Sequence, residues 1–291
     1  MRNLKKANML PKDLLKKVIE SKKGANKKRL EDLQDELEER FDEYSQKADS
    51  NKLHLLAEKW HYDKLTTSSD GYFLYHQYDN SNGSMSYLRT KMIEANNGEI
   101  VLKCPICELR DTTDLDHYVP RQLFPEFSIH SSNLILTCHE CNNKKLLLWC
   151  DNGKRLFFNA YYDTPTDEVL FDVTVKQENN ILRMELALKS FVNPKEETRI
   201  ALSTITSLGL MPYVNQKINE NFNKELLNII RYRKRSKETD EEFLLMQKDI
   251  LTEAIGDIDD VNNWDRIIFE TIKDNPIVES WLKAQFVKKV A

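Results

Sequence analysis

Two C-x-x-C pairs, Cys104 with Cys107 and Cys138 with Cys141, bracket a run of thirty residues in a chain that has only five cysteines. No other feature limits the fold as much. A C-x-x-C turn presents two sulfurs to one side of an ion, and two such turns complete the four-thiolate tetrahedron that Zn2+ favours. A shell closed by four sulfurs keeps no position open for substrate. The spacing therefore predicts a structural zinc ion whose binding energy appears as folding energy. The sequence opens MRNLKKANML, without the apolar core of a secretory leader, and no apolar run approaches the ~20 residues of a membrane span. A reducing, cytoplasmic setting with no membrane partner is expected, and there paired cysteines are metal ligands rather than disulfides. Cys150, the fifth, is expected to be an inert thiol.

Between the pairs lies LDHYVPRQLFPEFSIHSSNLILTC. His117 follows Asp116 in an apolar and aromatic setting (Leu115, Tyr118, Val119) that ends at Pro120. Neighbouring side chains on a strand point to opposite faces, so a direct Asp–His dyad is not expected. The two can still serve one site in different roles. A hard cation such as Mg2+ takes oxygen ligands, which Asp116 offers, and a neutral imidazole is a suitable general base, which His117 offers. Asn133 precedes LILTC, an apolar run expected to return antiparallel to the histidine strand. Asn142 falls in the first turn of an expected helix, NNKKLLLW.

The order C-x-x-C, D-H-x-x-P, N-L, C-x-x-C-N-x-x-K resembles the zinc-containing branch of the HNH nucleases, the ββα-metal or His-Me finger fold. The resemblance covers Lys103 to Leu147. It implies that His117 deprotonates the attacking water and that Asp116 and Asn142 hold a catalytic Mg2+ or Mn2+. It further implies that Asn133 orients the histidine ring. Lys145, with Lys144 and Arg121, would lie near the substrate phosphates. Many family members carry histidine at the last metal position, where this chain has Asn142. The two ligands are then both oxygen donors, which suits Mg2+ or Mn2+ over a transition metal held by imidazole. His139, inside the second cysteine turn, is expected to point outward, and His130 to lie in a loop; both rank behind Asn142 as ligands. The resemblance also implies DNA as substrate and a role as a bacterial defence effector with a partner protein such as an ATPase.

The rest of the chain carries no motif that reads as chemistry. Hydrophobic content of 40% and charged content of 31% describe a globular protein with a charged surface. The net charge of −4 conceals an asymmetry: residues 1–30 hold eleven Lys or Arg against two acids, and residues 31–43 hold eight acids and one Arg. Such stripes are compatible with a polyanion partner, or with pairing to one another. Helical patterns are expected over 11–46 with a break at Gly24, over 52–64 and over 84–97. A strand is expected at 156–163, and a hairpin from EVLFDVTV and ILRMELAL joined at Gln177 to Asn180. A long helix over 195–235, broken near Gly209 and Pro212, and helices at 239–255, 262–273 and 277–288 follow. The expected fold is mainly α with a central ββα-metal (HNH) nuclease module and a small β-hairpin element (α+β). Its four segments would be 1–98, 99–150, 151–192 (a β element packed on the module) and 193–291. The expected function is metal-dependent DNA hydrolysis. The rivals are a non-catalytic zinc-dependent nucleic-acid-binding module and an HNH nuclease acting on RNA.

Overall fold

The computed structural model describes residues 1–96 and 102–287, so the expected segment boundary at 98/99 lies outside the described residues. The chain is mainly α with small two-stranded antiparallel sheets, and it forms two compact units, Met1–Pro165 and Thr166–Ala291.

The first unit runs α1 (Pro11–Ser21), α2 (Gly24–Asp32), α3 (Gln34–Asp49), α4 (Asp70–Tyr75), α5 (Asn82–Ala95), β1 (Asp114–His117), β2 (Leu134–Thr137), α6 (His139–Lys145), β3 (Cys150–Asp151) and β4 (Lys154–Arg155). Gly24, at φ +55°, makes the expected break between α1 and α2 with a backbone conformation that a side chain would disfavour. Leu14, Leu15 and Val18 of α1 are buried, as are Leu30 of α2 and Leu37, Phe41 and Tyr44 of α3. Helix period and burial agree along this stretch. Some of the opposed charges pair: Lys12 Nζ lies 2.8 Å from Asp42 Oδ2.

Two expected elements in this unit do not form. The segment 52–64 holds only a short 3-10 turn at Leu53–Leu55, because Leu53 and Leu56 are its buried side chains and two anchors do not sustain a helix of that length. The segment 156–163 is not a strand. Phe157 and Phe158 are buried side by side rather than alternately, and the chain turns at Asn159, whose Oδ1 accepts from Tyr161 N at 3.1 Å. Asp163 closes the turn by accepting from Asn159 N at 2.7 Å, and it forms a buried bidentate pair with Arg155 (2.7 and 3.1 Å). Helix α4 starts within the polar stretch 66–71, with Ser69 as N-cap accepting from Tyr72 N at 3.1 Å.

His130 sits in irregular backbone as expected, yet it is fully buried. Its ring lies 4.8 Å from Phe41, 4.3 Å from Tyr44 and 5.8 Å from Phe127, and neither ring nitrogen makes a hydrogen bond among the described residues. This excludes it as a ligand at the surface.

The second unit is built on the expected hairpin, β5 (Phe171–Glu178) and β6 (Ile181–Leu188), paired from Phe171 with Leu188 to Glu178 with Ile181. Asn179 and Asn180 at φ +49° and +64° supply the two left-handed residues of a type I′ turn. Helices α7 (Glu196–Ser207), α8 (Met211–Arg233), α9 (Asp240–Gly256), α10 (Trp264–Asp274) and α11 (Pro276–Val287) follow, with the break at Gly209 and Pro212 where expected. Two asparagines one turn apart on α8 cover the edge of β6. Asn219 exchanges hydrogen bonds with Met184 N and O, and Asn215 with Leu186 N and O. The side-chain amides thus satisfy an edge that would otherwise be open to pairing.

Burial pushes the His130 imidazole down to about 3 from 6.5. Because the folded value is depressed, the unfolded chain binds more protons between these limits, and stability is lost as pH falls from about 6.5. One such group contributes at most ~1.4 kcal/mol per pH unit. Denaturant titrations should therefore show His130→Leu at least as stable as the parent at pH 7, with two unmade hydrogen bonds removed, and less acid-sensitive between pH 6.5 and pH 5. Parallel pH slopes would contradict this.

Candidate functional site

The four cysteine sulfurs of the C-x-x-C pairs lie within 4.8 Å of one another and all four residues are buried. Cys107 Sγ is 3.9 Å from Cys138 Sγ, close to the ~3.8 Å edge of a tetrahedron drawn with Zn–S bonds of ~2.3 Å. The chain brings them together by two local devices. In the first turn, Cys104 N donates to Arg110 O (2.8 Å) and Glu108 N to Cys104 O (2.8 Å), with Glu108 at φ +56°. In the second, Cys138 caps α6, its sulfur accepting from Cys141 N at 3.4 Å. Arg110 and Glu140 form an ion pair between the two turns. These four residues can hold a zinc ion, with no position left for substrate. Cys150 is half-buried and stands outside the cluster.

From this cluster β1 and β2 leave as an antiparallel pair, Asp114 opposite Thr137 and His117 opposite Leu134. Strand alternation then sorts the side chains. Asp114 and Asp116 share one face, and His117 leaves from the other. No Asp–His dyad forms. His117 Nε2 meets the carbonyl of Ser128 at 2.8 Å, which makes Nε2 the protonated nitrogen and leaves the lone pair on Nδ1. Tyr78 packs edge-on against the ring at 4.7 Å between centroids. Burial foremost, with the Arg121 charge adding to it, pushes the imidazole down to about 3. The imidazole is therefore neutral near pH 7.

Asn133 is fully buried and works on the backbone rather than on the imidazole ring. Its Oδ1 accepts from Val119 N (2.8 Å) and the Tyr44 hydroxyl (3.1 Å); its Nδ2 donates to Val119 O (3.0 Å) and Phe127 O (3.1 Å). Phe127 is the neighbour of Ser128, so Asn133 fixes the loop that carries the His117 acceptor. The same short 3-10 turn, Pro125–Ile129, is anchored by a buried pair from α3, in which Arg40 Nη2 donates to Glu126 Oε1 at 2.6 Å.

Lys145 does not face solvent. It is 5% exposed, and its Nζ donates to Asp116 Oδ1 (3.1 Å) and to His117 O (2.6 Å). Contact with substrate phosphates does not fit that position; the residue neutralises Asp116 instead. Burial raises the Asp116 carboxyl, and Lys145 offsets part of that rise. Asp114, which the motif reading passed over, is the better-supported anion. Burial opposes its charge, but hydrogen bonds from Asn142 Nδ2 (3.0 Å), His139 Nδ1 (2.9 Å) and Thr113 Oγ1 (2.9 Å) outweigh it and hold the carboxyl low. His139 points outward as expected, yet it reaches Asp114 from the exposed side. The signal for Asp114 was present in D-x-D-H: residues two apart on a strand share a face.

Asp114, Asp116, His117, Asn142, Arg121 and Arg89 line one cavity of about 660 Å3. Arg121 is held there by Asp79 (2.9 Å) and stacks over Tyr75 at 4.3 Å. Lys144 is exposed on α6 and does not line the cavity. Asp114, Asp116 and Asn142 thus border the same cavity as the neutral imidazole, while among the described residues the four cysteines are the group whose ligand atoms lie close enough together to hold a metal ion.

Two outcomes test this geometry. Serine in place of any one of the four clustered cysteines should drop bound zinc from about one per chain to near zero and abolish cooperative melting of the first unit. Lys145→Met should destabilise by about 3–5 kcal/mol, because it strands the buried Asp116 charge, and adding Asp116→Asn should recover much of that loss. A Lys145→Met protein as stable as the parent would place the lysine at the surface instead.

No family model matches this chain, and no solved structure matches it. It is similar in part to the Septu protein PtuB of Bacillus thuringiensis, 26% identical over 102 residues, which are 34% of this chain and 39% of that protein. It is also similar to protein ea31 of Escherichia phage lambda, 42% identical over 41 residues, 14% of each chain. The chain thus spans well under two thirds of either relative, and among the described residues no helix is long and apolar enough to cross a membrane.

Proposed function

We propose that this chain is an HNH-type endonuclease that hydrolyses phosphodiester bonds of DNA, nicking or cutting both strands. The observation that carries the reading is one cavity lined by Asp114, Asp116, His117, Asn142 and two arginines, next to a four-cysteine cluster that leaves no position for substrate. A zinc module that only bound nucleic acid would have no use for a neutral imidazole beside two carboxylates.

Asp116 and Asn142, joined by Asp114, would hold Mg2+ or Mn2+. When bound, that ion supplies positive charge where the departing 3′ oxygen develops its negative charge. The remaining work falls to the chain. His117 Nδ1 accepts the proton of the attacking water, while Ser128 O keeps the ring in the required tautomer. Arg121 and Arg89 offer cations on the cavity wall to the phosphate oxygens. Asn133 holds the loop that holds Ser128. The similarity to a Septu protein supports an anti-phage setting, with this chain as effector beside a partner protein such as an ATPase.

Supercoiled plasmid incubated with the protein and Mg2+ or Mn2+ should be relaxed or linearised. His117→Ala should slow this by about 100-fold or more at unchanged zinc content, and Asp114→Asn should weaken cleavage in the same direction. Wild type that binds DNA but cuts nothing under any metal would favour the non-catalytic zinc-dependent nucleic-acid-binding module. Cleavage of RNA alone would move the substrate class.

A further inference from the structure

Helix α6 ends at Lys145, and the three residues that follow are leucines: Leu146, Leu147 and Leu148, exposed by 73%, 46% and 46%. Leu146 sits at φ +48°, ψ −121°, and Leu148 N donates to Lys145 O at 2.9 Å. Those values and that hydrogen bond describe a type II′ turn with Leu146 at its first central position, which belongs to glycine. A leucine there is disfavoured twice, once by its backbone and once by its apolar side chain in water. Folding of the unit gains nothing from either, and strain of this kind at a site is a reason to look for function. The placement is specific: Leu146 and Leu147 line the same cavity as His117, Asp114 and Asn142, and Arg89 and Arg121 line it too.

Resting on the nuclease reading above, we propose that Leu146 and Leu147 enter the minor groove of duplex DNA and part a base step beside the phosphate to be cut. A leucine has nothing to donate to a phosphate or to the base edges of the major groove. In the major groove it could meet only a thymine methyl, whereas a step opened from the minor-groove side exposes the whole apolar face of a base. Arginines flanking such a wedge match the negative potential of that groove. The strained turn serves this role by holding the two side chains outward, pre-set before DNA arrives, while Lys145 beneath them is fastened to Asp116 and the His117 carbonyl. The wedge is thereby registered against the candidate base by a single buried side chain.

The test uses the full chain and duplexes carrying 2-aminopurine at successive positions, bound by His117→Ala protein so that none is cut. Fluorescence should rise at one or two adjacent steps, and the rise should disappear when Leu146→Gly and Leu147→Ala are added. Glycine at 146 suits the turn, so that substitution removes the side chain without unfolding the module. In the cleaving protein the same pair should lower kcat/KM on intact duplex by about tenfold or more, and by much less on a duplex with a mismatch already open at that step. A bound duplex with no fluorescence change, an equal loss on both duplexes, or failure to bind duplex at all would overturn the wedge. Wild type that cuts neither duplex defeats the nuclease reading instead, and the fluorescence measurement still decides the wedge. Loss of binding to a partner protein in place of DNA effects would assign the leucines to that partner and also overturn it.

Discussion

Four sulfurs packed within 4.8 Å hold this site together. The hairpin that carries Asp114, Asp116 and His117 is four residues long on each side, and the helix that carries Asn142 has seven. Neither would persist alone, since isolated two-stranded hairpins and two-turn helices are marginal in water. The first cysteine pair lies just ahead of the hairpin, and the second joins the hairpin's return strand to the helix. One ion there would constrain the entry of the first strand, the exit of the second and the first turn of the helix at once. The zinc-type cluster and the cavity are therefore separate in chemistry and inseparable in structure.

A second set of constraints is polar and buried. Lys145 with Asp116, Arg40 with Glu126 and Arg155 with Asp163 each place an ion pair where water is excluded. Such pairs add little net stability over apolar packing, because desolvation offsets most of the attraction, but they penalise any arrangement that separates the partners. All three lie on segments that carry or border the site. Lys145 fastens α6 to β1, Arg40 fastens the Ser128 turn to α3, and Arg155 reaches both Asp163 and the Tyr118 hydroxyl next to His117. The result is a neutral imidazole whose acceptor, neighbour and backbone carbonyl are each held by a different buried contact. The contrast between the two aspartates follows from the same accounting: one meets a single ammonium in a dry setting, the other three hydrogen-bond donors at the rim.

Much of this was legible from local pattern. The cysteine spacing anticipated the cluster, strand alternation ruled out an Asp–His dyad, and the polar link Gln177 to Asn180 marked the hairpin, whose turn the structure narrows to Asn179 and Asn180. Gly209 with Pro212 marked a helix break. Errors arose where local pattern and burial part company. The aromatic run at Phe157–Phe158 has strand composition, but its two rings are buried consecutively and the chain turns on Asn159 and Asp163. The 52–64 segment has helical composition and only two side chains to anchor it. The D-H pair points to Asp116 alone, whereas Asp114 joins it only through the two-residue alternation of β1.

The amino-acid sequence alone determined whatever depends on neighbours a few residues apart: ligand spacing, the face each strand residue takes, turn geometry and caps. Tertiary structure decided the rest, because burial and partner choice depend on segments far apart in the chain. Asn133 is satisfied in part by Tyr44, 89 residues away; Glu126 by Arg40, 86 away; and His130 is enclosed by rings from α3. Whether Lys145 meets solvent or Asp116 turns on the same physics. In low dielectric an unpaired charge is so costly that the packed fold, rather than the motif, selects its partner.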